Sequence, residues 1–193
     1  MNRSPFLLIS ILFILSLLIS AAPAQTYVSG AVSGVWDSAG SPYYVVSDVG
    51  VPQGSTLVIG PGVDITFMAE LGFMVDTNAV LKAIGTTSDS VFFTGRDTTV
   101  RHEGISFYSS ADGCTLSYCR IKQGGTGVIC DASNPAIINN AIHANMSVYG
   151  GGIYCRNSSD PIIYNNTIYD NSVDHGGLFA VMAVQIRPYF TTL

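Results

Sequence analysis

Beyond its first two dozen residues the chain is a succession of apolar bursts, three to eight residues long, punctuated by Gly, Asn, Asp and Ser. None carries the i, i+3, i+4, i+7 stripe of an amphipathic helix, and each is too short to be one. TLVI (56–59), DITF (64–67), GFMV (72–75), AVLKAIG (79–85), SVFFTG (90–95), GISFY (104–108) and CTLSYCRI (114–121) therefore read as strands between turns.

Towards the C-terminus the bursts become periodic. Pro135, Ile137, Asn139, Asn140, Ile142 and Asn145 recur 26 residues later at Pro161, Ile163, Asn165, Asn166, Ile168 and Asn171, and Gly150-Gly151 recurs as Gly176-Gly177. GVIC (127–130) returns as GIYC (152–155) at an offset of 25, which implies a one-residue insertion in the turn between them. A unit of this size holding three short strands cannot bury its own apolar side chains, so it must stack on a copy of itself. The expected result is a parallel solenoid of about five coils, with equivalent strands paired about 4.8 Å apart and like side chains in ladders.

The periodicity assigns roles within the coil. Asn tolerates the left-handed backbone conformation of a turn, and its amide can bond to the amide above it. Asn139 over Asn165 and Asn140 over Asn166 are expected ladders. The other reading of these residues is as ligands for a sugar or a metal. Residues 25–50 read as an N-terminal cap in which Trp36 and Tyr43-Tyr44 cover the open end, and residues 51–179 as the solenoid.

The run SGVWDSAGSPYYVVSDVGVPQGSTLVIGPGVDITF (33–67) looks like the opening of secreted bacterial right-handed β-helix repeat proteins. There a Trp-containing segment precedes a V-P-x-G-S-T-L-x-I-x-P-G-V strand pair. The coil GIYCRNSSDPIIYNNTIYDNSVDHGG (152–177) resembles their pectate-lyase-like repeats. The likeness spans residues 26–179 and implies an all-β, right-handed parallel β-helix. It does not imply one activity, because the scaffold carries polysaccharide lyases, glycosidases, adhesins and inert surface proteins.

The first residues are read as an export signal rather than as structure. Arg3 supplies the positive start, Phe6 to Ile19 an uncharged apolar run, and Ala22-Pro23-Ala24 a cleavage site, so residues 1–24 are removed and the mature protein begins at Gln25. The other reading is a membrane anchor, but these fourteen apolar residues fall short of the roughly 20 that span a bilayer. No later segment is long and apolar enough to span. The protein is expected to be secreted or displayed on the cell surface.

Charge narrows the partners. Without Arg3, seven basic residues stand against thirteen acidic ones, and no Lys/Arg cluster is present to neutralise phosphates, so nucleic acid is not an expected partner. Only 11% of the chain is charged, and Gly, Asn, Ser and Thr abound, which suits strands and turns.

A search for chemistry yields little. The lyases that this fold resembles use calcium held by carboxylates together with a Lys or Arg base. Lys82, Lys122, Arg96, Arg101, Arg120, Arg156 and Arg187 are the basic residues, and none has two acidic residues at neighbouring coil positions, so no catalytic residue carries over. Asp160, Asp170 and Asp174 are the calcium candidates, set against the commoner role of such carboxylates in solvated turns. No other cofactor is implied. His102, His143 and Asp174-His175 form no repeated constellation, and no Gly-x-Ser-x-Gly elbow accompanies them. Gly124-Gly125-Thr126-Gly127 lacks the Lys-Ser/Thr of a phosphate loop and is a turn.

Four cysteines in an exported chain argue for disulfides, but Cys130 and Cys155 share one coil position, where they are expected to stack as an inward ladder of free thiols. Cys114 and Cys119 flank one burst and are expected to face different ways or to lie too far apart for a bridge. A disulfide among the four remains the alternative. Asn145-Met-Ser, Asn157-Ser-Ser and Asn165-Asn-Thr match the glycosylation acceptor pattern and read as Asn/Ser-rich turns.

Function divides into two expectations. The first is a structural, adhesive or carbohydrate-binding module that offers a long polar face to polysaccharide or to an extracellular surface. The alternative is a polysaccharide lyase or glycosidase acting on an acidic polysaccharide, which a carboxylate pair or a calcium/lysine cluster in one groove would mark.

The last residues, 180–193, break the pattern, since AVMAVQIRPYFTTL lacks Asn and turn residues. Back-translated from one base earlier, with the last base of the Phe179 codon taken as T, the same tail permits C-S-N-G-S-S-D-P-A-I-F-H-N, beside C-R-N-S-S-D-P-I-I-Y-N-N from Cys155. The tail is thus expected to be an out-of-frame translation of a further coil, with the repeat continuing past the given sequence.

Overall fold

The computed structural model describes residues 25–148 and 150–173, and every described element is a strand. The export signal, the 180–193 tail, Asp174, His175 and the Gly176-Gly177 repeat lie outside the described residues.

The short apolar bursts become strands because alternate residues face inward and the neighbouring coil satisfies their backbone groups. Strand β1 (Thr26–Ala31) lies parallel on the first coil, formed by β2 (Gly34–Trp36) and β3 (Tyr43–Val51). The second coil holds β4 (Thr56–Ile59), β5 (Asp64–Phe67) and β6 (Gly72–Val75), and the third β7 (Val80–Ile84), β8 (Val91–Gly95) and β9 (Gly104–Tyr108). The fourth has β10 (Thr115–Ser117), β11 (Cys119–Lys122) and β12 (Val128–Asp131). The fifth has β13 (Ala136–Ile138), β14 (Ala141–His143), β15 (Met146–Ser147) and β16 (Ile153–Arg156). The sixth is described through β17 (Ile162–Tyr164), β18 (Thr167–Tyr169) and β19 (Ser172–Val173). Six coils stand against the five or so read from the pattern; the added one is the first, whose strands fall in the segment expected to be only a cap.

All pairings are parallel, and apart from a separate two-stranded sheet of β15 and β19 they define three faces. Face A is the start of β3 followed by β5, β8, β11, β14 and β18; face B is the end of β3 followed by β6, β9, β12 and β16; face C is β2, β4, β7, β10, β13 and β17. Inward side chains form columns: Tyr43, Ile65, Phe93, Ile121, Ile142 and Ile168 on face A, and Val49, Phe73, Ile105, Val128 and Ile153 on face B. Each fully buried aliphatic contributes about 1.5–3 kcal/mol, so the columns supply most of the cohesion between coils. At the N-terminal end Trp36 stacks on Tyr43 with ring centroids 4.6 Å apart and meets Phe73 edge-on at 6.1 Å.

Corners are made by residues in the left-handed conformation. Tyr118, Asn139 and Asn165 hold φ of 51°, 58° and 53° between faces C and A, and Gln123, Ala144 and Asp170 hold 59°, 55° and 51° after face A. The burst CTLSYCRI, read as one strand, is therefore two, broken at Tyr118. Gly127 is required where face B begins, because a Cβ there would lie 2.7 Å from Cγ2 of Ile142 and 3.1 Å from Nδ2 of Asn145.

Candidate functional site

The amide ladders come first, because they shape the corners on which everything else rests. Asn140 is buried; its Oδ1 accepts the Cys119 N–H at 2.8 Å, and its Nδ2 donates to the Leu116 carbonyl at 2.9 Å and to Asn166 Oδ1 at 3.0 Å. Asn145 and Asn171 form a second inward pair, with Asn145 Nδ2 donating to Asn171 Oδ1 at 3.0 Å and the Gly124 N–H donating to Asn145 Oδ1 at 2.9 Å. Asn139 and Asn165 sit outside the coil, where Asn165 Nδ2 donates to Asn139 Oδ1 at 2.5 Å. The inward pairs thus satisfy backbone, while the outward pair offers amide groups to solvent. Asn145 spends both amide atoms within the fold and so presents no acceptor for glycosylation.

Cys130 and Cys155 are partners in the β12–β16 register, with Cys130 fully buried and Cys155 half-buried, and all four cysteines are free. The hydrogen bond to Cys155, then burial, pushes the Cys130 thiol well above its usual range. Cys114 and Cys119 both point inward, bonded to the separate carbonyls of Ala79 and Ala83. Burial pushes the Cys119 thiol up to about 12.

The two described calcium candidates, Asp160 and Asp170, lie apart. Asp160 precedes β17, with its N–H donating to Asn134 Oδ1 at 2.6 Å, whereas Asp170 follows β18, so two strands and a corner lie between them. Among the described residues no three His, Cys, Asp or Glu side chains group as metal ligands. Asp131 and Arg156 form a clasp between coils four and five, Arg156 Nη2 lying 2.7 Å from Asp131 Oδ2, with Asn157 Nδ2 donating to Asp131 Oδ1 at 2.6 Å. Those bonds, that of Asn157 first, hold the Asp131 carboxyl below its ordinary value.

The histidines divide by position. His102 is fully buried: Nδ1 accepts the Gly104 N–H at 3.0 Å, Nε2 meets the Lys122 carbonyl at 3.2 Å, and the ring stacks on Phe67 at 4.6 Å. Burial lowers its pKa to about 4, so it is a neutral core residue. His143 faces outward, stacked on Tyr169 with centroids 4.6 Å apart and planes 10° from parallel. Partial burial, then Lys122 and Arg120, lower its pKa, against an opposing pull from Asp170.

This stack belongs to a larger surface. The outward column of face A runs Tyr27, Tyr44, Thr66, Thr94, Lys122, His143, Tyr169, and beside it runs Asp64, Phe92, Arg120, Ala141, Thr167. The Arg120 guanidinium lies over the Phe92 ring, 5.6 Å from its centroid. Where face A meets face C, a cleft of about 410 Å³ runs across coils three to six, lined among others by Thr86, Tyr118, Arg120, Asn139, Asn165 and Thr167. Among the described residues no Asp or Glu lines it. Arg120, Lys122 and His143 were visible singly in the sequence but not as a set. From coil four to coil five the face A offset is 21 residues, from Lys122 to His143, while the face B offset is 25, so no single period aligns them.

The stacked parallel coils and their ladders define a β-solenoid. A family model described as the right-handed β-helix region matches residues 73–187, more than half of the chain, and the protein belongs to that family. No curated protein and no solved structure matches it.

Proposed function

We propose that the protein is an exported β-helix module, secreted or held at the cell surface, that binds carbohydrate on face A and in the adjoining corner cleft. The observation that carries this reading is the gathering of Arg120, Lys122 and the His143–Tyr169 stack across coils four to six of a chain whose net charge is -5. The imidazole and phenol of the stacked pair can exchange hydrogen bonds with sugar hydroxyls, and an arginine fork takes a carboxylate or sulfate in two parallel bonds. Hydroxyls and outward amides of Thr86, Thr167, Asn139 and Asn165 supply the directional bonds that sugar hydroxyls need. The ladders beneath are already bonded, so little ordering is required on binding.

The test is retention of the exported protein on immobilised polygalacturonate, alginate, chondroitin and a neutral glucan, with absorbance of unsaturated products followed in the same samples. Retention on at least one polymer without product supports a binding module. Product formation would favour the lyase alternative, and retention on none would refute the carbohydrate reading.

A further inference from the structure

The corner between faces C and A changes height along the solenoid. In the first three coils six, four and six residues (37–42, 60–63 and 85–90) bridge the two faces; in the next three only one, two and two do (118, 139–140 and 165–166). The long loops stack on one another, since a Cβ on Gly62 would lie 4.0 Å from the Cβ atoms of both Ser38 and Asp89. The third loop is tied by its own bonds: the Thr86 N–H donates to the Asp89 carbonyl at 2.9 Å, the Asp89 N–H to Thr86 Oγ1 at 3.0 Å, and Ser88 Oγ to Asp89 Oδ2 at 2.8 Å. Thr86, Thr87 and Ser90 of that loop line the cleft at its coil-three side, and the cleft floor then descends over Tyr118, Asn139 and Asn165. A polymer lying along the solenoid axis in this cleft meets a braced wall.

We propose that the cleft receives the end of a glycan chain rather than a passing segment. The chain end abuts Thr86, Thr87 and Ser90, while Arg120 contacts an anionic group near the terminus. The inference rests on the carbohydrate-binding reading and adds its polarity. The floor described from coil four to coil six covers two strand spacings of about 4.8 Å, the length of roughly two sugar rings.

The experiment is calorimetric titration of the whole exported protein with galacturonate, alginate and chondroitin oligomers of two to eight units, and with the parent polymers. For the glycan that binds, oligomers and long polymers alike are expected to bind protein in proportion to chain ends rather than chain mass. Asn139→Ala, on the cleft floor, is expected to weaken every oligomer alike. Stoichiometry that follows chain mass would overturn the chain-end inference and leave carbohydrate binding intact. Absence of binding to all three would overturn both.

Discussion

The imidazole of His102 fills the space that a side chain at position 124 would need, since a Cβ on Gly124 would lie 2.6 Å from its Cε1. One coil further on, the same column holds Asn145 and then Asn171, whose amides do the bonding that the imidazole does earlier.

That arrangement makes stability depend on pH. His102 has a folded pKa of about 4 against an ordinary 6.5, so between these values the unfolded chain binds more protons. Stability is therefore highest above about 6.5 and falls as pH drops towards 4. Lowering pH from 7.5 to 5 is expected to cost about 2 kcal/mol through this residue. Urea midpoints for the wild type and for His102→Asn, which places the later coils' residue in the column, check it; the variant should lose most of the slope between these pH values, and an unchanged slope would contradict the assignment.

The inward and outward asparagines should differ sharply. Asn140→Ala leaves the Cys119 N–H buried without its partner and removes a second bond from the Leu116 carbonyl, at about 1–3 kcal/mol. Asn139→Gly, which keeps the left-handed corner at φ 58° free of strain, removes one exposed bond and should cost less than about 1 kcal/mol. Equal losses in urea unfolding would show that the inward ladder is not what braces the coil.

Ala144 occupies a left-handed corner, φ 55°, where Asp170 stands one coil later. Ala144→Gly should stabilise by about 0.5–1 kcal/mol because it removes the Cβ clash of that conformation. Ala141→Gly, three residues earlier within β14, should destabilise by a similar amount. Thermal midpoints moving in opposite directions would confirm that the corner, not the composition, decides the sign.

The parallel coils, the ladder partners and the strand positions were legible because stacking forces like residues to recur at one offset, as Asn140 and Asn166 do. The break at Tyr118 was not legible, because Tyr carries no turn signal and its φ is imposed by the corner that Asn139 and Asn165 share. Nor was the candidate site. Lys122 and His143 become neighbours only through a 21-residue step, and the Trp36 coil looked like a cap because its strands lack the later Asn punctuation.

The central claim is that face A with its corner cleft, and not surface charge in general, binds glycan. Arg120→Gln and Lys82→Gln remove the same charge from different faces, Lys82 lying exposed on face C. The direct measurement is the dissociation constant of each variant, by affinity electrophoresis in a gel containing the polysaccharide that retains the wild type. Loss of an arginine contact to an anionic group, about 1.5–3 kcal/mol, predicts at least a ten-fold weaker Arg120→Gln and a Lys82→Gln within about two-fold of wild type. Equal weakening of both variants, or of neither, would contradict the account.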